Sequence, residues 1–393
     1  MRRADEEPRR QSKFFETANV AEDVSKIKDL HDISASSRFR VSSRQINWRN
    51  VSRVLVVRLR SIGDTVLSTS SLTALKQFLP EAQIDILLED WVAPVLDGFD
   101  AVDNVLTFKK DDLKSRLRTA WKIRQKRYDV AFNLHGGTTA TFFVRASGAP
   151  HRIGFENYQY KFLYNHLLSS ASDFWGKEYT HSAEQQLALL GFVGVPVEDK
   201  PKSHLAITEK AKNSIETKLR SEIRNPKSKI ALFHPTAAFE SKQWAIENFA
   251  RLAEFFYEKN FQPVAVAAKN ESKVLDAFKQ NSRVPIIAFD DLILPEITAL
   301  ASKADFFVGN DSGIAHIAAA VKTPSVVIFG SSNVNHWRPW TDAPNEIVRE
   351  KMSCQPCAGY NCSQFDVPEC IRRISVESVI AAVEKVLDNS GLN

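Results

Sequence analysis

Phe307-Val308-Gly309-Asn310-Asp311-Ser312-Gly313-Ile314-Ala315-His316 is the stretch on which the architecture turns. An apolar run of strand length ends in four small or polar residues and gives way to an Ala-rich helical pattern over Gly313–Val321. Such a strand-to-helix turn belongs to a parallel α/β sheet. Its small residues let a ligand approach the backbone, and the helix start offers unpaired N–H groups to phosphate oxygens. His316 follows Gly313 by three residues and so falls on the same side of the first turn. A helix cap explains Asp311 or Ser312 alone, but not both together with Gly313 and His316, so the segment reads as an anion site. The next loop, Phe329-Gly330-Ser331-Ser332-Asn333, repeats the small polar theme.

Alternation of apolar runs with helical patterns extends in both directions from this turn. Upstream within the same half come strands at Ile230–Phe233, Pro263–Ala267, Ile286–Phe289 and Ala304–Val308, with helices at Ile246–Lys259, Glu271–Gln280 and Leu294–Ser302; Ser325–Phe329 follows. An earlier unit runs from Val54–Val57 through a helix at Thr65–Phe78 and strands at Ile84–Leu88, Val102–Phe108 and Tyr128–Leu134. The pattern predicts an α/β protein of two doubly wound units facing across a cleft, with ligands at the C-terminal ends of the strands. The expected divisions are an arm over 1–50, loosely ordered or a short helix, and a first domain over 51–200. A linker with a helix over 201–228 and a second domain over 229–393, with a cysteine loop and terminal helix, complete the chain.

Composition agrees with two ordinary globular domains: 393 residues, 44% hydrophobic and 25% charged. No run reaches the roughly 20 apolar residues of a membrane span. The charged N-terminus lacks an apolar signal core, so the expected location is the cytoplasm. The net charge of +5 is modest, and residues 1–50 account for +3 of it, which argues against a nucleic-acid partner. One basic stretch stands out, Lys109 to Arg127, with Lys110, Lys114, Arg116, Arg118, Lys122, Arg124 and Lys126 between. It reads either as a solvated helix face or as a surface for an acidic acceptor or anionic lipid head groups.

Two further loops carry candidate chemistry. Arg58-Leu59-Arg60-Ser61-Ile62-Gly63-Asp64-Thr65 follows the first strand and lacks both the dinucleotide fingerprint and the P-loop lysine. Asp64 there is either an N-cap or, beside Arg58 and Arg60, a general base. His234-Pro235-Thr236-Ala237-Ala238-Phe239-Glu240-Ser241-Lys242-Gln243-Trp244 forms a roomy loop in which Lys242 is a mobile charge suited to a diphosphate. All four cysteines, Cys354, Cys357, Cys362 and Cys370, lie within 17 residues. They are read as a structural loop or, in a reducing compartment, as a structural metal site.

Together these segments resemble glycosyltransferase family 9, the ADP-heptose:lipopolysaccharide heptosyltransferases, from about Arg53 onward. The x-x-x-Gly63-Asp64 opening, His234-Pro235-Thr236 through Lys242-x-Trp244, and Asn310-Asp311-Ser312-Gly313-x-x-His316 with Pro324 and Phe329-Gly330 carry the likeness. The resemblance implies a GT-B fold of two Rossmann-like domains and an inverting transfer that needs no cofactor. It implies an ADP-sugar donor, an acidic glycolipid or oligosaccharide acceptor, and peripheral contact with the inner membrane. Asp64 would be the base and Lys242 would contact the donor phosphates, so these two form the catalytic pair. Thr236, Glu271, Asp311, Ser312, Gly313 and His316 would also bind the donor. Glu271 departs from the pattern, since Ala267-Ala268-Lys269 stands where a Gly-rich turn is common. Arg58, Arg60 and His135 are acceptor-side candidates, His135 being equally suited to capping a helix. A hexosyltransferase, an epimerase or a non-catalytic sugar-nucleotide binder on the same fold are the competing readings.

Overall fold

The computed structural model describes residues 45–223, 225, 228–357 and 361–392. Most of the arm expected over 1–50 therefore lies outside the described residues. Its last part is packed: Ile46 is buried, and the Trp48 indole donates to the Val193 carbonyl at 2.8 Å.

The first sheet comprises β1 (Arg53–Leu59), β2 (Gln83–Glu89), β3 (Asn104–Phe108), β4 (Val130–Asn133), β5 (His151–Phe155) and β6 (His166–Leu168). Its helices are α1 (Ile62–Phe78), α2 (Leu113–Gln125), α3 (Gly137–Ser147), α4 (Ala171–Trp175) and α5 (Ser182–Gly191). After α6 (Glu209–Glu222) come β7 (Lys229–His234), α7 (Ile246–Glu258), β8 (Phe261–Val266), α8 (Ser272–Asn281), β9 (Ile287–Phe289), α9 (Leu294–Lys303) and β10 (Phe306–Asn310). The chain continues through α10 (Gly313–Ala320), β11 (Ser325–Phe329), α11 (Val334–Trp337), β12 (Asn345–Arg349), α12 (Glu369–Arg372) and α13 (Val376–Ser390).

Both six-stranded sheets are wholly parallel. Their orders, β3-β2-β1-β4-β5-β6 and β12-β11-β10-β7-β8-β9, are the same winding repeated. Each sheet reverses direction once, between β1 and β4 and between β7 and β10. Loops diverge there and leave a crevice beyond the strand ends. Three of the loops singled out in the sequence, and the loop after β4 that carries His135, open at those two places.

Burial explains the continuous apolar strands. One face of the first sheet, with Val54, Val56, Ile84 and Ile86, meets Leu72 and Leu75 of α1 and Leu187 of α5. The other face, with Leu55, Val57 and Leu87, meets Ile123 of α2 and Phe143 of α3. Each such side chain contributes about 1.5–3 kcal/mol on leaving water. The second sheet is built around phenylalanine: Phe233 packs edge-on against Phe256 and Phe278 at 5.7 and 5.6 Å. Helix α1 differs from its neighbours. Thr65, Ser68, Thr69, Ser70 and Ser71 are all buried, and the Ser68 and Thr69 hydroxyls donate back to carbonyls of their own helix at 2.6 Å. These small side chains let α1 lie between the first sheet and α10 of the second unit.

Candidate active site

Two glycines bring the halves together. A Cβ on Gly63 would stand 2.6 Å from Cδ2 of His316, and one on Gly313 would stand 2.8 Å from the Ile62 Cβ and 3.2 Å from the Gly63 nitrogen. The first turn of α1 therefore abuts the first turn of α10, and a side chain at either position would force them apart. Asp64 and the Asp311–His316 turn, on different sheets, meet at this junction.

On the first sheet, Ser61 is the N-cap residue of α1 and Asp64 is its third helical residue. The N-cap reading of Asp64 is thus corrected by three positions. Its carboxylate turns back to accept from the Ser61 hydroxyl at 3.0 Å, and its other oxygen is paired with the guanidinium of buried Arg58. Arg58 also donates to the Leu134 carbonyl, so the pair is anchored to the end of β4. Arg60 turns instead toward Glu89, at 3.9 Å. His135 does not cap a helix. Gly136 precedes α3, and the Asn133 side chain accepts the His135 and Gly136 N–H groups at 3.0 and 2.8 Å. Burial, reinforced by the Arg58 charge, pushes the His135 imidazole down to about 4.

A cavity of about 650 Å³ opens from these groups. Arg58, Asp64, His135 and Tyr158 line it from the first unit, Gln185 and Gln186 from α5, and His336 and Trp337 from α11 of the second. Sequence reading missed Tyr158, Gln185, Gln186, His336 and Trp337. They come from three separate places, the segment at Tyr158, α5 and α11, with no local motif, and only the docking of the two units assembles them.

On the second sheet, Lys242 donates to Asp311 at 2.8 Å, and the Ser332 hydroxyl donates to the same carboxylate oxygen. The two residues read as phosphate contacts thus hold each other. Glu271 joins the site despite its altered turn: it accepts from the Thr236 hydroxyl at 3.0 Å and the Ala268 N–H at 3.1 Å. Thr236 lies 3.2 Å from Nε2 of His234, whose Nδ1 lies 3.0 Å from the Ser312 hydroxyl. Burial pushes His234 down to about 4, so it is neutral near pH 7. Since Thr236 gives its proton to Glu271, Nε2 of His234 must donate and Nδ1 must accept from Ser312. The Ser312 side chain is therefore spent on His234 rather than on capping α10, and the helix N–H groups face the crevice uncapped by any side chain. His316 is buried, which lowers its pKa, and its Nδ1 has no partner.

Asn310 holds the loops in place. It is fully buried, donating to the Pro235 carbonyl at 2.8 Å and accepting the Trp244 N–H at 3.1 Å. Below it, the Ser331 N–H donates to the Ser241 carbonyl at 3.2 Å, an approach that the missing side chain of Gly330 permits. The four cysteines are free thiols that line one small cavity with Ser241 and Ser331. The Cys357 N–H donates to the Ser331 carbonyl at 3.0 Å, so the cysteine loop buttresses the Lys242 loop from beneath. Burial and the neighbouring sulfurs raise the Cys357 and Cys370 thiols. Among the described residues, no three His, Cys, Asp or Glu side chains are grouped to hold a metal ion.

The family model for glycosyltransferase family 9 (heptosyltransferase) matches residues 116–367. Lipopolysaccharide heptosyltransferase 3 of Escherichia coli K12 is 27% identical over 355 residues, covering 84% of this chain and 96% of that protein. Among solved structures, a family 9 glycosyltransferase of Veillonella parvula superposes with a TM-score of 0.75 at 19% identity, covering 86% of this chain and 97% of that one. The E. coli heptosyltransferase WaaC, solved with ADP, gives 0.66 at 16% identity, covering 85% and 99%. The fold is the GT-B arrangement of those enzymes. Among the described residues, no helix is long and apolar enough to cross a membrane.

Proposed function

Because the chain belongs to glycosyltransferase family 9, and is thus a glycosyltransferase of the heptosyltransferase kind, we propose that it moves a heptosyl group, with inversion, from an ADP-sugar to a hydroxyl of a lipopolysaccharide-core or related glycolipid. The observation that carries this reading is the α1–α10 junction. It sets a carboxylate from one sheet beside a helix N-terminus from the other.

In this reading the donor diphosphate lies at the start of α10. The backbone N–H groups from Gly313 onward take its oxygens, and Lys242, already held by Asp311, shares its charge with them. Glu271 and Thr236 border the nucleoside end. The acceptor enters the cavity beside Tyr158 and Trp337, whose rings offer flat faces to a sugar. Asp64 takes the proton of the attacking hydroxyl, and Arg58 and Ser61 fix the carboxylate's direction. The new bond forms at the anomeric carbon as the bond to the diphosphate breaks on the opposite face. The electron pair leaves on a phosphate oxygen facing Lys242 and α10. That charge is met without a metal or other cofactor.

Turnover with ADP-heptose and a core glycolipid acceptor tests this directly. Asp64→Asn should lower kcat by about two to four orders of magnitude while leaving ADP-induced thermal stabilisation intact. Full turnover by the variant would remove Asp64 from the chemistry. Stronger stabilisation by UDP than by ADP would point to a different donor class.

A further inference from the structure

Helix α2 is amphipathic in an unusual sense, because it has two apolar faces. The inner one, with Ala120 and Ile123, packs beneath Phe108 and Phe143. The outer one carries Leu113, Leu117 and Trp121, spaced four residues apart and exposed by 67%, 55% and 64%. Residues at that spacing form a stripe along one side of a helix. Three large apolar side chains in a solvent-facing stripe do not serve the core.

A second stripe runs beside it, one residue further on. Lys114, Arg118 and Lys122 repeat the spacing and are all exposed. Among the described residues, no carboxylate is ion-paired with any of the three. From Lys109 to Arg127 there are nine basic residues against two acidic ones, a net +7 in a chain whose total is +5. The rest of the protein is therefore slightly negative, and the positive charge is concentrated here. Trp91, half exposed, lies beside the N-terminal approach to the helix in a shallow depression lined by Lys109 and Lys110 but also by Glu89, Asp90, Asp111 and Asp112, so the positive stripe begins beyond it, at Lys114.

We propose that this face of α2 docks the protein on an anionic phospholipid bilayer. Leu113, Leu117 and Trp121 enter the head-group boundary, and Lys114, Arg118 and Lys122 meet lipid phosphates. Interfacial helices combine these features: an apolar stripe with tryptophan at head-group depth, and basic side chains whose stems lie along the apolar surface. A nucleic acid would use the charges and leave the Leu-Leu-Trp stripe wet. Pairing with a second copy about a twofold axis would bring two basic stripes together, at a cost in repulsion. Helix α2 also packs on α3, which starts from the His135–Gly137 loop at the cavity. A glycolipid anchored in the docked bilayer would therefore meet the unit that holds Asp64. That consequence rests on the proposed acceptor, whereas the docking itself does not.

The test is sedimentation of the purified full chain with vesicles, without donor or acceptor, so its outcome is independent of the transfer reaction. Equimolar phosphatidylcholine–phosphatidylglycerol vesicles should carry the protein down, less so with added salt, and pure phosphatidylcholine vesicles should carry little. Leu117→Ser with Trp121→Ser should reduce partitioning at least about tenfold. Lys114→Gln, Arg118→Gln and Lys122→Gln together should reduce it on the order of a hundredfold. These positions are exposed, so melting should be unchanged in both variants. Absence of wild-type binding would overturn the proposal, as would binding that survives both variants. Loss with the charge variant alone would mark a purely electrostatic acidic partner. A vesicle-free dimer dissolved by the Leu117/Trp121 variant would mark a second copy, and either result would likewise overturn it.

Discussion

His234 shows how much of the proposed donor side is decided by single protons. Its ring joins Ser312 to Thr236, and through Thr236 to Glu271, so three strand ends are tied by one neutral imidazole. Burial holds it, and His135 across the crevice, down to about 4. The folded values lie below the ordinary 6.5, so the unfolded chain binds more protons between those limits. The stability each neutral ring contributes is complete above pH 6.5 and is lost as pH falls toward 4, on the order of 3 kcal/mol per group. Chemical denaturation of the wild type should therefore weaken over that window. His234→Gln should show a shallower slope than the wild type, which separates the imidazole from paired carboxylates titrating nearby. Lys242 and Asp311 make a second residue-scale case. Lys242→Ala should abolish stabilisation by ADP, about 2.7 kcal/mol at a hundred times Kd, and should also lower melting by leaving buried Asp311 unpaired. Adding Asp311→Asn should restore the melting temperature but not the ADP response, which separates phosphate binding from packing.

At the scale of elements, the site consists of four loops at the two places where the sheets reverse, and their spacing depends on a few clamps. Asn310 is the firmest. Asn310→Ala would orphan the Pro235 carbonyl and the Trp244 N–H, at about 1–3 kcal/mol for each group left buried and unpaired. A drop in melting temperature accompanied by a weaker donor response is expected; an unchanged donor response would show that the loops hold their positions without it. This scale also marks what the sequence reveals. Runs such as Val54–Val57 and Ser325–Phe329 announce their strands because both faces are buried, leaving no polar residue to blur the period. The strands β5, β6 and β12 carry none of that signal. His151–Phe155 and Asn345–Arg349 are short, partly exposed and mixed in polarity, and they pair only because a neighbouring edge is already formed. The loops proposed to hold the donor were legible because each keeps its residues within a dozen positions. The cavity proposed for the acceptor was not, because α5, α11 and the segment at Tyr158 reach it only through packing.

The whole molecule adds what neither sheet contains, namely the distance between Asp64 and the start of α10. Other contacts brace the same arrangement. The His181 ring stacks on Trp340 at 4.6 Å and lies 2.8 Å from the Arg338 carbonyl, so the chain leaving the first unit is fastened to the second. With the units fixed in this way, the α1–α10 junction cannot widen without cost. Gly63→Ala would press a methyl group into the buried His316 ring, which is enclosed and has nowhere to turn. Overpacking of this kind costs about 1–3 kcal/mol. The added methyl meets the His316 ring and lies 3.5 Å from the Gly313 Cα, but in the proposed arrangement it leaves Lys242 and the backbone N–H groups at the start of α10 free to take the diphosphate. ADP should accordingly stabilise Gly63→Ala nearly as well as the wild type, and acceptor binding should change little. The kcat should nevertheless fall by an order of magnitude or more, since about 1 Å of misplacement between base and reacting carbon can cost on the order of a hundredfold. Full turnover in a variant with lowered melting temperature would mean that the junction serves stability alone. Loss of the ADP response would mean that it serves the donor half alone. Only a fall in kcat with both binding steps preserved fits a junction that sets the span between the two.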